Sequence, residues 1–464
     1  MVKSSILGTV YLCDGFYSGG PVAFDGTSVG GNFDCRTISG GQFVLGSVLN
    51  TNLYALSLAN GDIGGDFFKD NGFKVDGGIK MDVASVRGEM VFGRGVLEGR
   101  EYSIIASNAK FGKNVGFLDG CRVSGSREFA HSAFGRSFAC QDCSLKIAEA
   151  TAAHLYRSHP LLDMTKCDLN GNVILGNGFV CNGEVCLRGA TISGGLDCRA
   201  AQLLNRGGNA LFGERLHVKG DVFLWNRLKT VGLVDLRYAQ IGGVLQLYNL
   251  VDPQEMKLDL TSAKVGPLYD SAGDWPNAGN LVLDNFVYDS LEPSAPADAY
   301  SRVKWLRLSS NSTFNPQPYE QLAGVLRKEG HDIDADNILI EKDDVYSKHL
   351  KNCFRRLWWW FLGVCSDYGY RPWYALVWTA SFVVVGWKIF KFAYKGGHIV
   401  HSEKSDAKFW PMIFSVETFV PFLQLAFEDD WKVIGSDRPA WWLSFYLYFH
   451  RCVGFSYAAS GCAS

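Results

Sequence analysis

From residue 118 to residue 283 an apolar residue is followed three places on by a small one, and two places further by a branched or long apolar one. Leu118/Cys121/Val123, Cys140/Cys143/Leu145, Met164/Cys167/Leu169, Leu187/Ala190/Ile192, Leu236/Ala239/Ile241 and Leu260/Ala263/Val265 fit this frame, and Phe212/Leu216/Val218 fits it with one residue inserted. Successive anchors lie about 24 residues apart, which marks an internal repeat. Each unit divides again. Gly171 leads Val173 and Leu175, Gly183 leads Val185 and Leu187, and Gly194 leads Leu196 and Cys198. Gly220, Gly232 and Gly243 open similar runs. Alternation over about five residues gives a strand with one buried face. A helix would lose about 1 kcal/mol at each such glycine. The glycines are therefore expected to supply positive φ at corners between strands.

Short strands at even spacing can close a sandwich, a propeller or a solenoid. A small Cys or Ala returning to the same place favours the solenoid, which stacks equivalent positions about 4.8 Å apart. The expected fold is mainly β: a right-handed parallel β-solenoid over 1–290, with about 24 residues per coil, roughly 12 coils and a rod of about 55 Å. In this frame Cys143 stacks between Cys121 and Cys167. Cys140-x-x-Cys143 is then core filling rather than a redox or metal pair. The 13 cysteines are odd in number and scattered singly, as buried thiols of a reducing compartment would be.

Composition shifts along the chain. Most of the 52 glycines precede residue 300, whereas most of the 13 tryptophans follow from Trp358 onward. LEPSAPADAY lies within an expected linker, 291–316. Residues 317–353 read as an amphipathic helical hairpin with Tyr319, Leu322, Val325 and Leu326 on one face and a break at Gly330. This hairpin is expected to cap the open end of the solenoid, since a bare terminal coil templates aggregation.

Residues 354–464 read as a membrane module. The stretch 373–392 carries only Lys388 and Lys391 as charges, both near its end, and is long enough to span a bilayer. A second span is expected at about 440–460, and the proline-bearing 409–427 is expected to be broken or re-entrant. Arg355, Arg356, Trp358, Trp359, Trp360, Arg371 and Trp373 are candidate interface anchors. Glu417, Glu428, Asp429, Asp430, His450 and Arg451 form a candidate pore or intramembrane polar cluster, with pairing of Glu417 to His450 or Arg451 as the plainer reading. Lys and Arg crowd the segment from Arg302 to Arg356, and the N-terminus carries no convincing secretory signal. The solenoid is thus expected in the cytoplasm, and the module in a bacterial inner membrane.

LRGATISGGLDC and LRYAQIGGVLQL resemble pentapeptide-type and bactofilin-like solenoids. Their combination with EQLAGVLRKEGH, YGYRPW and a terminal hydrophobic bundle resembles a group of bacterial multi-pass membrane proteins sometimes labelled membrane-associated oxidoreductases. The unit here exceeds the 20-residue coil of true pentapeptide proteins, so their square cross-section is not carried over. PMIFSVETFVPF resembles the pore helix of inward-rectifier potassium channels, but FVPFLQLAFEDDW stands where the TxGYG filter would be.

The chain has no GxGxxG between strand and helix, no CxxCH and no iron–sulfur spacing, so no cofactor is expected and the oxidoreductase label gains no support. Acidic residues along the repeat form no recurring pair for glycoside hydrolysis. A net charge of −2 without a basic stripe argues against nucleic acid. The expected role is a membrane-anchored, non-enzymatic scaffold or sensor that presents the solenoid to a protein partner. The alternative is a homo-oligomeric channel or pore-forming effector gated by the solenoid.

Overall fold

The computed structural model describes residues 4–13, 15–35, 43–46, 54–67, 73–146, 159–309, 314–401, 408–420, 431–433 and 441–461. The chain divides into two compact units, Met1–Ile338 and Leu339–Ser464.

The first unit is a parallel β-solenoid of about 11 turns and about 23 residues per turn. One inward column runs through it in hydrogen-bonded register: Val29, Ile63, Val86, Phe111, Phe134, Leu169, Ile192, Val218, Ile241, Val265 and Tyr288, all buried. The period follows from the pleat. Every second residue of a short strand faces inward, and each turn must return that residue one inter-strand spacing along the axis. A single turn has four sides. Val180–Cys181, Val185–Cys186, Thr191–Ile192 and Leu196–Asp197 succeed one another before the next turn begins at Gln202.

The phase of the repeat differs from the expected frame. Val123 pairs with Leu145, and Leu145 with Cys181, whereas Leu169 pairs with Phe134 and Ile192. The frame thus slips by half a turn between Leu145 and Met164. Cys143 stacks between Cys121 and Phe179, not beside Cys167, whose neighbours are Ser132 and Ala190. The two halves of a turn carry the same apolar, small, apolar signature. The step from Leu145 to Cys181 is longer than the others, so the opposite half falls at the expected spacing.

Glycine also acts differently. Of the six glycines that open the alternating runs, only Gly232 has positive φ. The left-handed corner residue is the one just before the middle residue of the frame: Lys166, Gly189, Arg215, Tyr238 and Ser262 in successive turns. Gly171, Gly194, Gly220 and Gly243 instead form a ladder in which each N–H donates to the preceding glycine's carbonyl at 3.0–3.1 Å. A Cβ on Gly220 would sit 2.9 Å from the Gly194 oxygen, so close coil-to-coil approach selects glycine here. The next position often carries an amide or carboxylate. Asn172 Oδ1 accepts the Gly195 N–H and Asp221 Oδ1 the Val244 N–H, each at 2.8 Å across to the next turn.

The expected linker, 291–316, contains helix α1 (Ala299–Arg307), which begins at Asp298, whose carboxylate accepts the Ser301 N–H. Arg302 of α1 is fully buried. Its Nη1 and Nη2 each donate to an Asp270 oxygen at 2.8 Å, and its Nε donates to Pro296 O at 2.6 Å. Trp275 Nε1 completes the carboxylate's shell at 2.8 Å. Helix α2 (Gln317–Lys328) then closes the last turn. Gln317 and Gln321 donate to the carbonyls of Phe286 and Tyr288 at 3.0 and 2.7 Å. Helical i,i+4 neighbours lie about as far apart as strand i,i+2 neighbours, so two amides match alternate free carbonyls. Glu329 accepts the Leu291 N–H at 2.7 Å and Lys328 donates to Asp289 O at 3.2 Å. The backbone groups that no further coil could pair are thus occupied by side chains. Gly330, at φ +85°, ends the turn before α3 (Asp332–His349), in which the division between the two units falls.

Candidate functional site

The second unit contains helices α4 (Cys353–Ser366), α5 (Pro372–Lys395), α6 (Pro411–Phe419) and α7 (Trp441–Gly461), with an antiparallel ribbon joining Ile399–His401 to Trp431–Val433. Among the described residues one helix segment, Leu376–Lys395 in α5, is long and apolar enough to cross a membrane. Only 22% of its apolar window is buried. Leu376, Val377, Val384, Val385 and Phe392 are exposed, as a soluble core helix would not allow.

Helix α4 starts at Asn352, whose side chain accepts the N–H groups of Phe354 and Arg355 at 2.9 and 3.4 Å. It ends at Asp367, at φ 46°, and the YGYRPW segment makes the elbow into α5. Tyr368, also left-handed, donates to Asp344 Oδ1 at 2.5 Å, and Arg371 pairs with Asp367 at 3.3 Å. Burial and the neighbouring Asp344 carboxylate push the Tyr368 phenol well above its ordinary range. Trp359 packs between Tyr346 and Tyr368 with centroids at 5.3 and 5.6 Å. Of the seven expected anchors, Arg355, Arg356, Trp358, Trp360 and Trp373 are exposed. Trp359 and Arg371 are instead committed to the elbow.

Helix α6 packs on both α5 and α7, which also touch each other. Ser415 Oγ donates to Val383 O at 2.9 Å. His450 is fully buried, with Nε2 3.2 Å from Ser415 O and Nδ1 3.3 Å from the Tyr446 hydroxyl. Because a carbonyl can only accept, Nε2 carries the proton and Nδ1 accepts from Tyr446. A Cβ on Gly386 would meet His450 Cε1 at 2.8 Å, and the space a Cβ on Gly454 would need is taken by Phe419 O, so two glycines make the seat for α6. Phe390, Phe409, Phe414, Trp431 and Leu443 form the surrounding core.

The members of the expected polar cluster are placed as follows. Glu417 is buried on α6, His450 is engaged by Ser415 and Tyr446, and Arg451 is half-buried. Glu428, Asp429 and Asp430 lie outside the described residues, as do residues 421–427 of the expected 409–427 segment. Sequence reasoning missed Ser415 and Tyr446. The only available signal was helical spacing, which places Tyr446 one turn before His450.

In the solenoid, sequence reading also missed Arg127. It is fully buried, donates to Leu161 O at 3.2 Å and lies over the Phe117 ring at 5.7 Å, while Nε and Nη1 have no hydrogen-bond partner. The side chains of Cys121, Cys140, Cys143 and Cys181 surround it. Burial pushes the thiols of Cys121 and Cys181 up to about 12 and that of Cys140 well above its usual value. Thiolate is the reactive form, so at pH 7 to 8 iodoacetamide should label exposed Cys353 in the native chain and leave Cys121, Cys140 and Cys181 unmodified until unfolding. Peptide mass spectrometry checks this, and rapid native labelling of Cys140 would contradict core filling. Among the described residues no group of three or more His, Cys, Asp or Glu is placed to hold a metal ion.

Fold and site together define a parallel β-solenoid followed by a helical unit with one span-length apolar helix among the described residues. No family model, curated protein or solved structure matches the chain.

Proposed function

We propose that this chain is a membrane-anchored, non-enzymatic scaffold or sensor that presents its solenoid to a protein partner. The observation that carries the anchoring is the exposed apolar surface of α5 along a 20-residue segment. Lipid is the solvent that such a surface fits. In this reading the solenoid is cytoplasmic at a bacterial inner membrane, 373–392 and 440–460 span, and 409–427 is broken or re-entrant. The test is alkaline carbonate extraction of membranes holding the full chain. The chain should stay in the pellet, and Val384→Asp/Val385→Asp should release it to the supernatant. Release of the unaltered chain would end the anchoring proposal.

A second reading, an oligomeric pore gated by the solenoid, is favoured by the short helix α6 seated between two longer ones through Gly386 and Gly454. Glu417 would then lie near the conduction path. Subunit counting in nanodiscs with ion flux in liposomes separates the two. A monomer without flux supports the scaffold, and a symmetric assembly that conducts supports the pore.

A further inference from the structure

Helix α4 has a face that nothing in its own unit covers among the described residues. At 100° per residue, Phe354, Leu357, Trp358, Trp360, Phe361 and Val364 occupy one arc of about 160°, within which Cys365 of the last turn is the one buried residue. All six are exposed, between 37% and 79%. The opposite arc is the one that packs: Trp359 lies against Tyr346 and Tyr368, and Leu362 and Gly363 are half-buried. The charges of α4 are Arg355 and Arg356 alone, with no acidic residue in the helix. Both are exposed, and neither guanidinium has a hydrogen bond or an ion pair among the described residues. On the same wheel Arg356 falls just beyond Trp360 and Arg355 beyond Trp358, so one cation flanks each edge of the apolar arc.

An apolar arc of large aromatics with basic residues at its margins is the pattern of a helix lying in the membrane interface. The paired guanidinium groups add a preference. An arginine with free donors matches phosphate oxygens in its planar geometry, and anionic headgroups gain about 1 kcal/mol for each basic residue near the surface by the general scale of such contacts, a severalfold enrichment. A protein groove would require acidic partners at both margins and an apolar floor between them. Continuity with the exposed apolar surface of α5, reached through a short elbow, favours lipid.

We infer that α4 is an interfacial helix that recruits anionic phospholipid, with Phe354, Leu357, Trp358 and Phe361 buried at the acyl boundary and Arg355 and Arg356 each holding a headgroup phosphate. This rests on the membrane reading of α5 and names the lipid class that the adjoining surface selects.

The experiment uses the full chain in nanodiscs of equal parts phosphatidylcholine and phosphatidylglycerol, with the photoreactive residue benzoylphenylalanine at Leu357 or, separately, at Val385. Mass spectrometry identifies the adducts. At Leu357 the adducts should favour phosphatidylglycerol on the order of fivefold, and Arg355→Gln/Arg356→Gln should return the ratio to about one by the same reasoning. At Val385 the adducts should be lipid without headgroup preference. Lipid adducts at Val385 with none at Leu357 would overturn the α4 inference and leave the span intact. Adducts at Leu357 with no preference would overturn the selectivity. Adducts to a second protein at Leu357 would replace lipid by a protein partner. An absence of lipid adducts at both positions would defeat the membrane reading itself.

Discussion

Replacing Asp270 by asparagine is expected to destabilise the last turns of the solenoid by about 3–5 kcal/mol, the range for breaking a buried ion pair from one side. Asparagine keeps one acceptor oxygen but sets an NH2 donor against the guanidinium in place of the other, so Arg302 loses its anion and one of its two hydrogen bonds at 2.8 Å while remaining fully buried. Arg302→Met removes the cation but leaves Asp270 buried with Trp275 Nε1 as its remaining side-chain donor, and a loss of similar size follows. The double change Asp270→Leu/Arg302→Met should recover much of the loss, because apolar side chains of similar volume often replace a buried pair at little cost. Hydrogen exchange on the full chain reads the effect locally. Protection should fall first in Val287–Leu291 and α1, where nearest-neighbour coupling concentrates the damage. A single variant with unchanged protection there would show that α1 is not what secures this end.

Phe117→Ala should cost about 3–5 kcal/mol, the range for large-to-small changes of a buried phenylalanine. Its ring stacks on Phe92 at 5.0 Å and 8°, touches Phe138 at 6.1 Å and lies under Arg127 at 5.7 Å. The alanine variant loses packing on both neighbouring turns and leaves the Arg127 guanidinium without its aromatic face. Phe117→Leu keeps most of the volume and should cost far less. Pulse proteolysis across a urea series reports both. Equal loss for alanine and leucine would point away from cavity formation.

The two effects act at opposite kinds of site. Phe117 is interior filling that any stacked coil needs, although the repeat frame anchors on its neighbour Leu118, which is only half-buried. Arg302 lies two residues past LEPSAPADAY, a stretch with the composition of a linker. Nothing local announces that this arginine will be drawn under the last turn, since its partner Asp270 lies 32 residues earlier. The same applies to the seat of α6, where the short contacts of Gly386 and Gly454 depend on three helices meeting.

The resemblance to pentapeptide-type solenoids was carried over without its four-sided coil, yet the turn from Val180 to Asp197 has four short strands. Coil length alone did not settle the number of sides. Extra residues can lengthen a corner without removing one, as the step from Ile192 to Val218 shows beside the shorter step from Leu169 to Ile192.

By itself the sequence determined the parallel solenoid, its repeat to within about one residue of the observed 23 or so, and an apolar helix near the C-terminal end. These depend on period and composition, which are local. The tertiary structure decided which half-turn stacks on which, why glycine recurs, and how α1 and α2 close the last coil. It also decided which neighbours hold His450. Such features require two segments distant in the chain to come into register, and a pattern that is identical in both halves of a turn cannot specify which half it will meet.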